Sequence, residues 1–115
     1  MQSKMDLGTA AYDGVEEIVA KNQRLVQQLN TGIHSANEVL SIVSQITNER
    51  IDGSTEIRLP FQTDFGRNLH IGKKVFINSG SMFVDLGGIY IGDHVLIGPN
   101  VTIASVNHRL EPSER

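Results

Sequence analysis

One interval constrains this chain more than any other feature. In residues 88–108, GIYIGDHVLIGPNVTIASVNH, Ile91, Ile97 and Ile103 stand six apart, Val95 and Val101 follow the first two by four places, and Gly92 and Gly98 follow them directly. Six is the period of neither an α-helix, which repeats its buried face at about 3.6 residues, nor a half-buried strand, which repeats at 2. A short strand plus a turn, repeated every six residues, is the mark of a parallel β-helix, in which three units make one triangular coil. The isoleucine points inward, the small β-branched residue fills the corner, the glycine allows the turn, and the coils stack so that each strand pairs with its equivalent in the next coil. The competing reading of the same residues is an antiparallel pair turning at Gly98-Pro99.

The phase continues upstream. Ile71–Phe76 is one unit, with Ile77–Met82 and Phe83–Gly88 as further ones. The fourteen residues from Ile77 to Ile91 are two sixes and two extra, which Gly87-Gly88 can absorb as a bulge or small loop. The repeat therefore covers residues 69–106, about two coils, with Ile71, Ile77, Ile91, Ile97 and Ile103 inside.

The first half reads differently. Val15, Ile18, Val19, Leu25, Val26 and Leu29 form a helical stripe that ends at Asn30-Thr31-Gly32. Ser35 and Glu38 have capping-box spacing ahead of a second apolar face, Val39, Leu40, Ile42, Val43 and Ile46. Residues 48–54 read as a connector, and Ile57, Leu59 and Phe61 alternate as one strand that Pro60 keeps at an edge. The expected organisation is a helical N-terminal segment, residues 1–55, and a partial β-helix domain, residues 56–115. The helical stripes would cover the end of the β-helix; a coiled coil or partner-binding face is the other use for them.

Composition narrows the function. With 115 residues the chain is one domain, and its net charge of −3 leaves no basic stripe for nucleic acid. It has no cysteine, so disulfides and thiolate zinc sites are out, in keeping with a cytoplasmic protein. No apolar run is long enough for a membrane span, and residues 1–11 lack the order of a signal peptide.

Several segments carry a family resemblance. Residues 60–72, PFQTDFGRNLHIG, resemble the PFxxDYGxNIxIG segment of sugar O-acetyltransferases of the maltose/galactoside type. Residues 75–80, VFINSG, match their xFxNxx segment, and residues 88–101, GIYIGDHVLIGPNV, are close to their xIxIGDNVLIGPNV run. Residues 107–112, NHRLEP, look like the stretch holding their catalytic histidine. The resemblance is collinear over residues 56–115 and looser over the helices. It implies a left-handed parallel β-helix of hexapeptide repeats, a homotrimer with active sites between subunits, and transfer of an acetyl group from acetyl-CoA to a sugar hydroxyl.

That chemistry needs a base, because an alcohol is a weak nucleophile near neutral pH, and an imidazole with a pKa of about 6.5 suits the task. The resemblance assigns the role to His108. It makes Asn78 the amide that contacts the acceptor, and it sets Asp64 in the acceptor pocket with Asp85 as a second such candidate. One branch of the family has two successive carboxylates where this chain has Asp85-Leu86, which implies a different or less polar acceptor. His34, His70, His94 and His108 include no closely spaced pair, so a histidine-bound metal like that of γ-class carbonic anhydrases is not expected. The chain runs only seven residues beyond His108, whereas the family's cofactor contacts lie in later coils. The cofactor-binding residues are therefore unknown, and the expectation is an incomplete or truncated member with little turnover by itself. The alternative is a non-catalytic oligomerising module that keeps the fold without a cofactor site.

Overall fold

A computed structural model describes residues 2–105, with side chains from Gly14 onward. Two helices lead, α1 (Gln2–Leu29) and α2 (Ala36–Thr47). Eight short strands follow: β1 (Glu56–Ile57), β2 (Phe61–Thr63), β3 (Leu69–Ile71), β4 (Phe76–Ile77), β5 (Ser81–Val84), β6 (Ile89–Ile91), β7 (Leu96–Ile97) and β8 (Thr102–Ala104). They form three parallel sheets, ordered β1-β4-β7, β2-β5-β8 and β3-β6. Every registered pair, from Glu56 with Phe76 to Phe83 with Ile103, joins residues 20 apart. This is the topology of a parallel β-helix whose coil holds 20 residues.

The two residues beyond three sixes sit where the sequence places its slack. Residues 64–68 and 85–88 join the second strand to the third in the two coils, and Gly66 and Gly88 there take φ values of 87° and 95°. Inward positions stack as ladders. Phe61, Leu69, Val75, Ile77, Phe83, Ile89, Ile91 and Ile97 are buried, while Ile71 and Ile103 pack against this core with partial exposure. The structure differs from the sequence reading in two respects. The coils start at β1 rather than at residue 69, and Ile57 and Phe61 lie on two separate strands of different sheets, with the cis Leu59–Pro60 peptide between them.

The helices close the first coil. Ser35 and Glu38 form the expected capping box, Oγ accepting from Glu38 N at 3.1 Å and Oε1 from Ser35 N at 2.7 Å. Val39, Ile42, Val43 and Ile46 of α2 join Val26 and Leu29 of α1 in one cluster with Ile57, Phe61 and Leu69. A bare first coil would leave a row of unpaired peptide groups along β2, and burying such groups unsatisfied is costly. Side-chain amides of α1 and of Asn30, which directly follows it, take the place of the missing strand. Asn30 both donates to Phe61 O (2.9 Å) and accepts from Phe61 N (3.0 Å). Gln23 Nε2 donates to Thr63 O (3.0 Å), and fully buried Asn22 donates to Phe65 O (2.6 Å) and Ile46 O (2.9 Å). Packing here is close: a methyl group on Gly66 would lie 2.6 Å from Ile46 Cγ2.

Two corner positions one coil apart, Lys74 and His94, hold φ values of 56° and 66°. A residue with a Cβ is disfavoured there by about 1 kcal/mol, and among the described residues exposed His94 donates only its backbone N–H, to Lys73 O. Replacing His94 with glycine should therefore stabilise the fold by up to about 1 kcal/mol, the unfolded chain's extra freedom offsetting part of the gain. Thermal melts check this, and a lowered midpoint would refute it.

Candidate active site

The first coil and the second position the sequence-predicted residues. Asn78 directly follows β4, and its N–H donates to Ile97 O at 2.9 Å, so its backbone continues the ladder while its side chain leaves it. The Oδ1 accepts from Ser79 N at 2.7 Å, which fixes the amide and leaves its NH₂ without a partner among the described residues. Because inward and outward positions alternate along a strand, buried Ile57 and Ile77 set Arg58 and Asn78 on the outer side. Arg58 N donates to Ile77 O at 2.8 Å, placing Arg58 one coil below Asn78 on the same ladder.

Asp64 and Asp85 lie beyond the opposite end of β5. The structure brings these two together: Asp85 N donates to Asp64 Oδ1 at 3.2 Å. Their surroundings differ. Asp64 is half-buried, and partial burial raises its carboxyl above the usual range, with the neighbouring Asp85 carboxylate adding to the rise. Asp85 is fully buried. Its Oδ1 accepts from Thr63 Oγ1 (2.9 Å), Phe65 N (3.2 Å) and Gly66 N (2.9 Å), and its Oδ2 from Asn68 N (3.1 Å). Within this coil Asp85 thus presents no oxygen to the surface; it grips the 63–68 loop that carries Asp64. The outward place beside it belongs to Leu86, 49% exposed. Asn78 shares no hydrogen bond with either aspartate.

The raised Asp64 pKa has a consequence for stability. A carboxyl raised in the folded state favours folding while protonated, and that contribution is lost as pH rises from the unfolded value, about 3.9, through the folded one. Asp64→Asn keeps an oxygen for Asp85 N but carries no charge. Its melting midpoint should exceed that of the parent at pH 7 and match it near pH 3; an equal gap at both pH values would refute the assignment.

Two of the other histidines have structural partners. His34 Nε2 donates to Gln28 O (2.9 Å) and Thr31 O (3.0 Å) at the end of α1. His70 Nδ1 donates to Glu49 Oε2 at 2.7 Å, and its ring stacks on Tyr90 with centroids 4.4 Å apart. Among the described residues no three metal-binding side chains cluster. His108 lies outside the described residues.

No family model matches the chain. Individual proteins do. The galactoside O-acetyltransferase of Lactococcus lactis is 31% identical over 93 residues, 79% of this chain and 44% of that enzyme. A galactoside acetyltransferase solved in complex with coenzyme A superposes with a TM-score of 0.71 at 25% identity, covering 98% of this chain and 57% of the other. A hexapeptide-repeat acetyltransferase of Vibrio cholerae, solved with acetyl coenzyme A, gives a TM-score of 0.72 at 26% identity, over 94% and 57%. This chain belongs to the galactoside O-acetyltransferase-like hexapeptide-repeat family.

The chain spans about half the length of the curated relatives it matches. Within this hexapeptide-repeat family member, then, the N-terminal helices and the coils that carry Asn78 and the Asp64–Asp85 pair share one hydrophobic core. Sequence reasoning missed two things. One is Arg58, whose signal was its place 20 residues before Asn78, legible only once the coil length is known. The other is the use of Asn22, Gln23 and Asn30 as a false strand, for which the one sequence sign is an asparagine in the middle of an apolar stripe.

Proposed function

We propose that this protein transfers an acetyl group from acetyl-CoA to a sugar hydroxyl. The observation that carries the proposal is the likeness to galactoside O-acetyltransferase across helices and coils alike. In this reading His108 takes the hydroxyl proton as the oxygen attacks the thioester carbonyl, the C–O bond forms, and the coenzyme leaves as a thiol. Asn78 offers its NH₂ to the acceptor or to the developing oxyanion. Asp64 accepts hydrogen bonds from sugar hydroxyls. Leu86 gives the acceptor pocket an apolar wall where a second carboxylate stands in one branch of the family, which fits an acceptor less polar at that point than galactose.

Asn78 and Asp64 flank opposite ends of β5, and a site that uses an amide and a carboxylate so separated is naturally completed by a neighbouring subunit. The reading therefore includes a homotrimer and a left-handed winding of the coils. No helix among the described residues is long and apolar enough to cross a membrane. Leu96, 75% exposed on the outer face of β7, favours a second reading in which the stack serves chiefly as an oligomerising module.

The test is acetyl transfer itself. The chain, joined to the later coils of the Lactococcus enzyme, is supplied with acetyl-CoA and a panel of sugars while thiol release and ester formation are followed. Ester formed on a sugar supports the enzyme; a stable trimer that binds acetyl-CoA and forms no ester with any sugar supports the module.

A further inference from the structure

A cleft of about 620 Å³ opens between the N-terminus of α2 and the β1 edge of the first coil. His34, Asn37, Ser54, Glu56, Arg58 and Ser79 supply its polar lining, with Val39, Leu40, Ile57 and Leu59 as an apolar floor. Its size is that of a small-molecule site, and its mixture of an apolar floor with a few convergent polar groups is what orients such ligands. The polar groups are of both kinds. Arg58 and Asn37 donate, Glu56 and the serine oxygens accept, and the Arg58–Glu56 pair leaves no net charge between them.

Arg58 is held for this role. Its Nε donates to Glu56 Oε2 at 3.0 Å, and its guanidinium lies 5.2 Å over the ring of Phe76, so the fork is fixed while its other N–H groups have no partner among the described residues. A planar fork beside a carboxylate matches two adjacent hydroxyls, one accepting and one donating. The cleft also touches the candidate site: Ser79 lines it, and Asn78, next in the chain, stands on the ladder directly above Arg58. Neighbouring rungs of a sheet are about 4.8 Å apart, roughly one sugar ring.

We infer that this cleft is a second polyol subsite, which binds the next sugar unit of an acceptor longer than a monosaccharide. The inference rests on the proposed sugar acceptor and deepens it. Arg58 is the specificity-determining residue, with Asn37 and Ser79 as further contacts.

Binding tests this without acetyl transfer, so the two readings fail separately. Amide NMR spectra of the chain are recorded with glucose, then with maltotriose and chitotriose. A trisaccharide should shift Asn37, Ser54, Arg58 and Ser79 and bind about tenfold or more tightly than glucose. Arg58→Ala, whose salt bridge is exposed and whose fold is checked by its melting curve, should abolish that advantage, so that the trisaccharides bind it no more tightly than glucose does. Arg58→Lys, which keeps the charge and loses the fork, should recover little of it. If neither trisaccharide binds better than glucose, if their shifts avoid the cleft, or if Arg58→Ala behaves as the parent, the subsite is overturned, whatever the acetyl-transfer assay gives.

Discussion

Replacing Asp85 with alanine should cost the fold about 3–5 kcal/mol, the scale of removing one side of a buried, charged hydrogen-bond set. The carboxylate is fully buried and takes four donors: the Thr63 hydroxyl and the N–H groups of Phe65, Gly66 and Asn68. Alanine leaves all four without an acceptor beneath the helices, where Gly66 already lies against Ile46 and Asn22. Such a loss is a large share of the 5–15 kcal/mol that holds a domain together. Asp85→Asn separates the causes. Its oxygen can keep the three bonds made to Oδ1, but its NH₂ then faces the N–H of Asn68, donor against donor, so its cost should be smaller, about 1–3 kcal/mol. Denaturant melts of both variants decide the matter. If alanine and asparagine are equally mild, the carboxylate does not hold the loop.

Replacing His108 with alanine, in the fusion that carries the later coils, should lower kcat by about 10²–10⁴, the usual worth of a positioned general base. The KM values for sugar and acetyl-CoA should change little, because the proton is taken only as the new bond forms. The pH profile distinguishes a lost base from a disturbed fold. The parent should gain rate with rising pH as the base gives up its proton, and the variant should lose that limb. A variant as fast as the parent would remove His108 from the mechanism and return the oligomerising module to first place.

How much of this was legible in the residues depends on what kind of signal each part leaves. The coils announce themselves because an inward isoleucine must recur at each rung, and the surplus of two at Gly87-Gly88 is visible as a break in that count. The first coil hides because the inward residue six places after Ile57 is Thr63, a polar side chain where the later coils carry phenylalanine or isoleucine, and because Leu59 and Pro60 make two strands on different faces look like one. The capping box of α2 is a local motif and reads directly; the amides that close β2 pair residues from 22–30 with residues 61–65, a separation no local pattern carries. Asp85 shows the limit at the site. A carboxylate beside a motif looks the same in the sequence whether it greets a ligand or fastens a loop, and only burial tells them apart.

The fixed step of 20 residues carries a consequence for how such a chain can grow. Apart from the contacts with the helices, each new strand closes against one already in place a single turn earlier, so the entropy of closing the loop is the same at every step. A protein built on long-range pairing meets a rising entropic barrier as it lengthens; this one does not, since the template for each turn is always the turn before. The helices supply the starting template, Asn30 offering Phe61 the pair of bonds a neighbouring strand would have made. Lengthening the stack is then repetition at constant cost, a route by which relatives about twice this length can extend the same architecture without any new rule of assembly.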